Sequence, residues 1–155
     1  VVDLFLDVSH IPITHRGVYD QIGIDHKLTV DWYYADNGSL QLVYCDNDKL
    51  SDYALDFDKK LKFKAAWLTL YPGTMIEWQP GAVFVTITEN TSHGSDVHVF
   101  KYRDTRYNKG VWKLNEDIWE TAWQQDKDQS ELIDGINVDN LEEGKQHYVN
   151  WRNQQ

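Results

Sequence analysis

A chain of 155 residues has the length of one compact domain, because separate cores become the rule only beyond about 250 residues. Lys and Arg number 15 against 25 Asp and Glu, a formal charge of −10. That field repels phosphate and anionic lipid, so neither nucleic acid nor a membrane surface is an expected partner.

With 41% hydrophobic and 26% charged residues and three prolines, the chain can build a packed core and is not of the disordered or collagen-like classes. Aromatic residues stand out at 14%, which suits a β-rich core or an aromatic-lined pocket. No window reaches the roughly 18 apolar residues that cross a bilayer. The opening VVDLFLDVSH carries acids and no basic leader, so a soluble chain is expected, with the cytoplasm as its compartment and secretion left open. Cys45 stands alone, which excludes an internal disulfide framework and a cysteine-rich zinc site. Asn37-Gly38-Ser39 and Asn90-Thr91-Ser92 fit the glycosylation sequon, a pattern too common to carry weight.

Residues 1–26 scatter His10, His15 and His26 around Pro12 and Gly17 and read as an arm or short helix before the core. From Lys27, KLTVDWYYA and SLQLVYC alternate β-branched and aromatic residues around Asp36-Asn37-Gly38, which predicts a tight hairpin. The stretch from Asp46 to Phe57 follows. FKAAWLTLY (63–71), TMIEW (74–78), AVFVTIT (82–88), DVHVFKY (96–102) and VWKL (111–114) are further strand candidates, separated by Pro72-Gly73, Pro80-Gly81, the loop ENTSHGS and Lys109-Gly110. Seven or eight short strands at such spacing predict an antiparallel meander, and in a chain this short a small barrel or sandwich. Beyond Asn115 the period lengthens: Ile118, Trp119, Ala122 and Trp123 share a helical stripe over about 116–124, with Asn115 as the expected N-cap. QQDKDQSELIDG reads as a linker, and the segment from Asn140 to Glu143 as the cap of a short terminal helix ending near Trp151. The expected division is one domain over 1–155: an arm at 1–26, a mainly β antiparallel barrel at 27–114 and a helical segment at 115–155.

In AVFVTITE, Val83, Val85, Ile87 and Glu89 share one strand parity. This sets the Glu89 carboxyl beside three apolar side chains, where burial raises a carboxyl pKa toward values useful for proton transfer; the other reading ends the strand at Thr88 and leaves Glu89 in a solvated loop. Tyr33 and Tyr34 are adjacent, so one ring points inward, and its hydroxyl needs a partner from the backbone or from a ligand. His93 and His98, like His10, His15 and His26, lack the helical i, i+4 spacing of a metal pair, so no metal site is expected. No G-x-S-x-G, G-x-G-x-x-G or P-loop occurs, which removes the commonest hydrolase, dinucleotide and nucleotide readings. The run from Asp56 to Lys60 and the acidic stretch 126–143 read as solvated surface.

Asp36-Asn37-Gly38, Tyr44, Asn47-Asp48 and Asp52-Tyr53, then Gly81 through Thr88-Glu89, then Gly94-Ser95-Asp96-Val97, and more weakly Leu141 through Lys145, follow one another in an order and spacing that resembles the bacterial phenolic acid decarboxylases and the related MoaF-like barrels. The likeness covers about residues 30–105. It implies a lipocalin-like (calycin-type) β-barrel and a cofactor-free lyase that decarboxylates a 4-hydroxycinnamate, in which protonation of the alkene gives a quinone-methide-like intermediate that loses carbon dioxide. Glu89 matches the proton-handling glutamate and Tyr33 the first of two carboxylate-facing tyrosines. The second falls on Ala35 unless a bulge brings Tyr34 inward. Ala65 and Ala66 stand where the family carries an essential arginine. Tyr44, Trp67, Trp78 and His98 complete the expected ligand lining with Tyr34. Three readings stay open: such a lyase, a barrel that binds an aromatic or apolar small molecule without turnover, and an acidic interaction or inhibitor protein, with a homodimer as the expected assembly if there is one.

Overall fold

The computed structural model describes residues 2–7, 10–22, 24, 29–44, 55, 61–132 and 143–155. Asn47, Asp48, Asp52, Tyr53 and His26 lie outside the described residues. Six strands, β1 (Thr29–Ala35), β2 (Gly38–Tyr44), β3 (Ala65–Leu70), β4 (Thr74–Gln79), β5 (Ala82–Thr91) and β6 (Gly94–Arg103), pair in sequence order, all antiparallel. This is the expected meander without the expected closure: among the described residues β1 and β6 remain edges, and the sheet is open.

Two of the hairpin joints have a local cause in a glycine. Ala35 pairs with Gly38 across Asp36-Asn37, and Gly38 is itself the first, buried residue of β2. A Cβ there would collide with the Thr69 carbonyl of β3, so the glycine serves close strand approach rather than a left-handed turn. Gly81, between β4 and β5, does need its freedom: its φ is +89°, and a Cβ would meet Val111 Cγ1 at 2.8 Å. Gly81→Ala is expected to cost about 2–4 kcal/mol from left-handed strain and overpacking together, read from urea melts.

One face of the sheet is the core face. Ser39, Gln41 and Val43, Ala65, Trp67 and Thr69, Met75 and Gln79, and Ala82, Phe84 and Thr86 are all buried, and the register sets them opposite one another, as in Gln41 with Trp67, Trp67 with Glu77, and Glu77 with Phe84. The other face is also largely apolar. Tyr33, Leu40, Leu68, Ile76, Val85 and Phe100 form a single cross-strand row, with Tyr33 and Phe100 about half exposed.

Three helical pieces cover the core face. Helix α3 (Lys109–Leu132) is longer than predicted: it absorbs 111–114, expected as a strand, and most of 124–135, expected as a linker. Its N-cap is Asn108, whose Oδ1 accepts from the Val111 N–H at 3.0 Å. Asn115, expected to cap, is instead buried inside the helix, donating Nδ2 to the carbonyls of Pro80 and Val111 at 3.0 and 2.9 Å. Val111, Asn115, Ile118, Trp119 and Ala122 are buried at helical spacing, and Phe84 of β5 stacks on Trp119 with ring centroids 5.3 Å apart.

The N-terminal segment is part of the core rather than an arm. It contains helices α1 (Val2–Phe5) and α2 (Ile11–Thr14) and a 3-10 turn at Tyr19–Ile22. Ile11, Val18, Ile22 and Ile24 pack with Val43, Trp67 and Ile118, and the Phe5 carbonyl accepts from Gln41 Nε2. Helix α4 (Glu143–Arg152) lies over the β1 side. Gly144 permits contact with the Trp32 ring, Tyr71 hydrogen-bonds His147 Nδ1 at 2.8 Å, and Lys145 pairs with Asp7 at 2.7 Å.

Candidate functional site

Between the core face, the N-terminal segment and α3 lies a pocket of about 410 Å³. Its walls are Phe5, His10, Ile11, His15 and Tyr19 from the N-terminal segment, Trp67 of β3, Glu77 of β4, Ser95, Asp96 and Val97 of β6, and Trp119, Ala122, Trp123, Asp126 and Lys127 of α3. Trp119 and Trp123, one helical turn apart, stack nearly parallel at 5.6 Å and present a broad aromatic wall. Pockets of this size and lining are the ordinary form of small-molecule sites.

Ser95, Asp96 and Lys127 bring exposed polar groups to the lining, and two less exposed acid–base groups break it within. The first is Glu77, which strand parity places inward between Met75 and Gln79, opposite Trp67 and Phe84. It keeps some accessible surface because it faces the pocket rather than bulk water, and its carboxyl pKa is pushed up to about 8, first by burial and then by the negative charge of Asp126, against a hydrogen bond from the Trp119 indole. At neutral pH Glu77 is therefore mainly a neutral acid that can donate a proton or a hydrogen bond. Burial, followed by the charges of Glu77 and Asp126, likewise holds the Tyr19 hydroxyl well above its usual range.

The second group is a cluster of His10, His15 and Asp126. His15 Nε2 lies 3.2 Å from His10 Nε2 and 3.0 Å from Asp126 Oδ1, and His10 Nε2 lies 3.4 Å from the same oxygen. His15 is almost fully buried, with its ring edge-on to Tyr19, and its Nδ1–H donates to Gln125 Oε1 at 2.8 Å, which turns Nε2 toward the cluster. Burial disfavours charge on both His10 and Asp126. Their mutual interaction, with Asp7 adding to His10 and His15 to Asp126, outweighs it, so the His10 pKa is raised and that of Asp126 lowered.

Most residues expected to line a site are elsewhere. Glu89 is exposed near the end of β5, paired with Asp96, and does not line the pocket. This corrects its expected inward placement: the buried parity of β5 is Ala82, Phe84 and Thr86, the opposite one. Tyr33 is 53% exposed on the outer face, and His98 is exposed there too. Trp78 packs against Phe63 on that same face, and Tyr44 lies at the end of β2, its hydroxyl pKa raised first by a hydrogen bond with Asp31. Tyr34 points to the core side but stacks on Trp32 and His147, with centroids 5.9 and 4.6 Å away, under α4 and away from the pocket. Trp67 alone of the expected set lines the pocket.

The pocket's acid and its histidines leave little trace along the chain. Glu77 sits mid-strand with inward neighbours Met75 and Gln79, a parity legible in TMIEWQ, yet Ile76 and Trp78 make the opposite face look like the core. His10 and His15 lack a metal spacing, and Asp126 falls in a stretch that reads as solvated surface. Their partners are more than 100 residues apart, as in the 110-residue separation of His15 and Gln125. No protein-family model matches the chain, and neither does any curated protein or solved structure.

Proposed function

We propose that the protein binds a small apolar or aromatic molecule carrying one polar head group in the pocket between α3 and the core face. The observation that carries this reading is the pocket itself: about 410 Å³, walled by Phe5, Trp67, Trp119 and Trp123, with Glu77 and the histidine–aspartate cluster as its less exposed polar groups. The rings favour a flat apolar body through area burial and stacking. Glu77 as a neutral acid offers a hydrogen bond to a carbonyl, phenol or carboxylate oxygen at low desolvation cost.

Turnover is the second reading, favoured by the same carboxyl. A cinnamate-type decarboxylation in this pocket would take its proton from Glu77, since Glu89 is outside. Titration with 4-hydroxycinnamic acids, indoles and medium-chain fatty acids, followed by tryptophan fluorescence and melting temperature, is expected to give saturable quenching and a raised Tm for at least one class. Ala122→Trp, which fills the pocket from α3, should abolish both changes while retaining the far-UV spectrum. Loss of the conjugated-acid absorbance, stopped by Glu77→Gln, would mark turnover. No saturable response across the panel would overturn the binding reading.

A further inference from the structure

We infer that His10, His15 and Asp126 form a facial three-ligand site for one divalent first-row transition-metal ion, of the kind represented by Zn(II) or Fe(II), on the wall of the pocket. His10 Nε2, His15 Nε2 and Asp126 Oδ1 form a triangle with edges of 3.0, 3.2 and 3.4 Å. An ion bound at about 2.1 Å by imidazole nitrogen and carboxylate oxygen, with angles between octahedral and tetrahedral, needs ligand-to-ligand edges of about 3.0–3.4 Å. The triangle has the dimensions of one face of such a coordination shell. Each residue contributes one possible ligand atom to this triangle, an arrangement that a single proton satisfies along one edge and a dication along all three.

The surroundings are built for the same task. The bond from His15 Nδ1–H to Gln125 Oε1 is the outer-shell contact that fixes the tautomer of a metal-bound imidazole. His15 is held by burial and by its contact with Tyr19, so little ordering is left to the moment of binding. Two imidazoles and one carboxylate are a borderline donor set that suits iron, zinc or cobalt better than magnesium or calcium, which take oxygen shells. All three ligands line the pocket, so the remaining coordination positions are reached from it, as in sites that use metal to hold or polarise an oxygen. The inference does not rest on the small-molecule reading, because the three ligands and Gln125 are complete without an occupant.

Tag-free protein stripped with chelator and titrated with Zn(II) by calorimetry is expected to bind one high-affinity equivalent per chain. Co(II) is expected to give d–d bands of a site with nitrogen and oxygen ligands and fewer than six of them. His15→Ala and Asp126→Asn should each weaken Zn(II) binding by at least about 100-fold, and Gln125→Ala, which removes only the outer-shell contact, by about 10-fold to 100-fold. His26→Ala, His93→Ala and His98→Ala should leave it unchanged. Should either ligand variant fail to melt cooperatively, Gln125→Ala and the wild-type Co(II) spectrum carry the decision. Only octahedral aqua-like Co(II) bands, or Zn(II) affinity untouched by Gln125→Ala and by whichever ligand variants fold, would overturn the inference. Ligand-induced quenching in the stripped protein reports on the pocket separately, so either proposal can fail while the other stands.

Discussion

Glu77→Gln is expected to gain stability relative to the parent protein as pH rises from about 4.5 to about 8, with the gain constant above that. In the folded chain the Glu77 carboxyl titrates near 8, against an ordinary 4.5, so between those values the folded state holds a proton that the unfolded state has released. Stability then falls as pH rises, by up to about 1.4 kcal/mol per pH unit. The contribution of the neutral acid is fully present below about pH 4.5 and gone above about pH 8, a total of order 5 kcal/mol. The amide that replaces the carboxyl cannot titrate and keeps its shape, so the difference in unfolding free energy between variant and parent should widen across that window and level off above it. Urea denaturation of chelator-stripped protein at a series of pH values checks this. A constant difference from pH 5 to 9 would mean that Glu77 is solvated and already ionised at neutral pH.

Trp119→Ala is expected to destabilise the fold by about 3–5 kcal/mol, the range for deleting a large buried aromatic side chain. The ring is 7% exposed, lies between Phe84 and Trp123, has Lys101 5.2 Å from its centroid, and donates its N–H to Glu77. Through these contacts one side chain ties α3 to both β5 and the pocket acid. Trp119→Phe separates the two roles. It preserves most of the stack, so its cost should be about 1–2 kcal/mol, but it removes the hydrogen bond that favours the ionised carboxylate. The Glu77 pKa should therefore move higher in Trp119→Phe, visible as an upward shift of the carboxyl resonance midpoint in an NMR titration.

Glu77 and Trp119 belong to a site whose residues are largely invisible along the chain, although the strands around it are not. The hairpin at Asp36-Asn37, the strand ends at Pro72-Gly73 and Pro80-Gly81, and the helical stripe from Ile118 to Trp123 are local signals carried by turn chemistry and side-chain period, and each appears in the fold. Helix α3 runs further than its period predicts because KGVWKLN satisfies both periods over so few residues; Asn108 and the Phe84–Trp119 stack settle it as helix.

What the amino-acid sequence by itself determined was the succession of antiparallel strands, the helix that follows them, and the aromatic and acidic character of the whole. Only the tertiary structure decided which face of the sheet is inside. Strand alternation defines two faces but does not rank them, and here both are apolar: Val83, Val85 and Ile87 look as much like core as Ala82, Phe84 and Thr86. Covering one face with α3 and the N-terminal segment turned Glu89, Tyr33 and His98 outward and Glu77 inward. The same docking brought His10 and His15 to Asp126. A contact across more than 100 residues leaves no period or spacing in a single sequence, because chain packing alone brings its ends together.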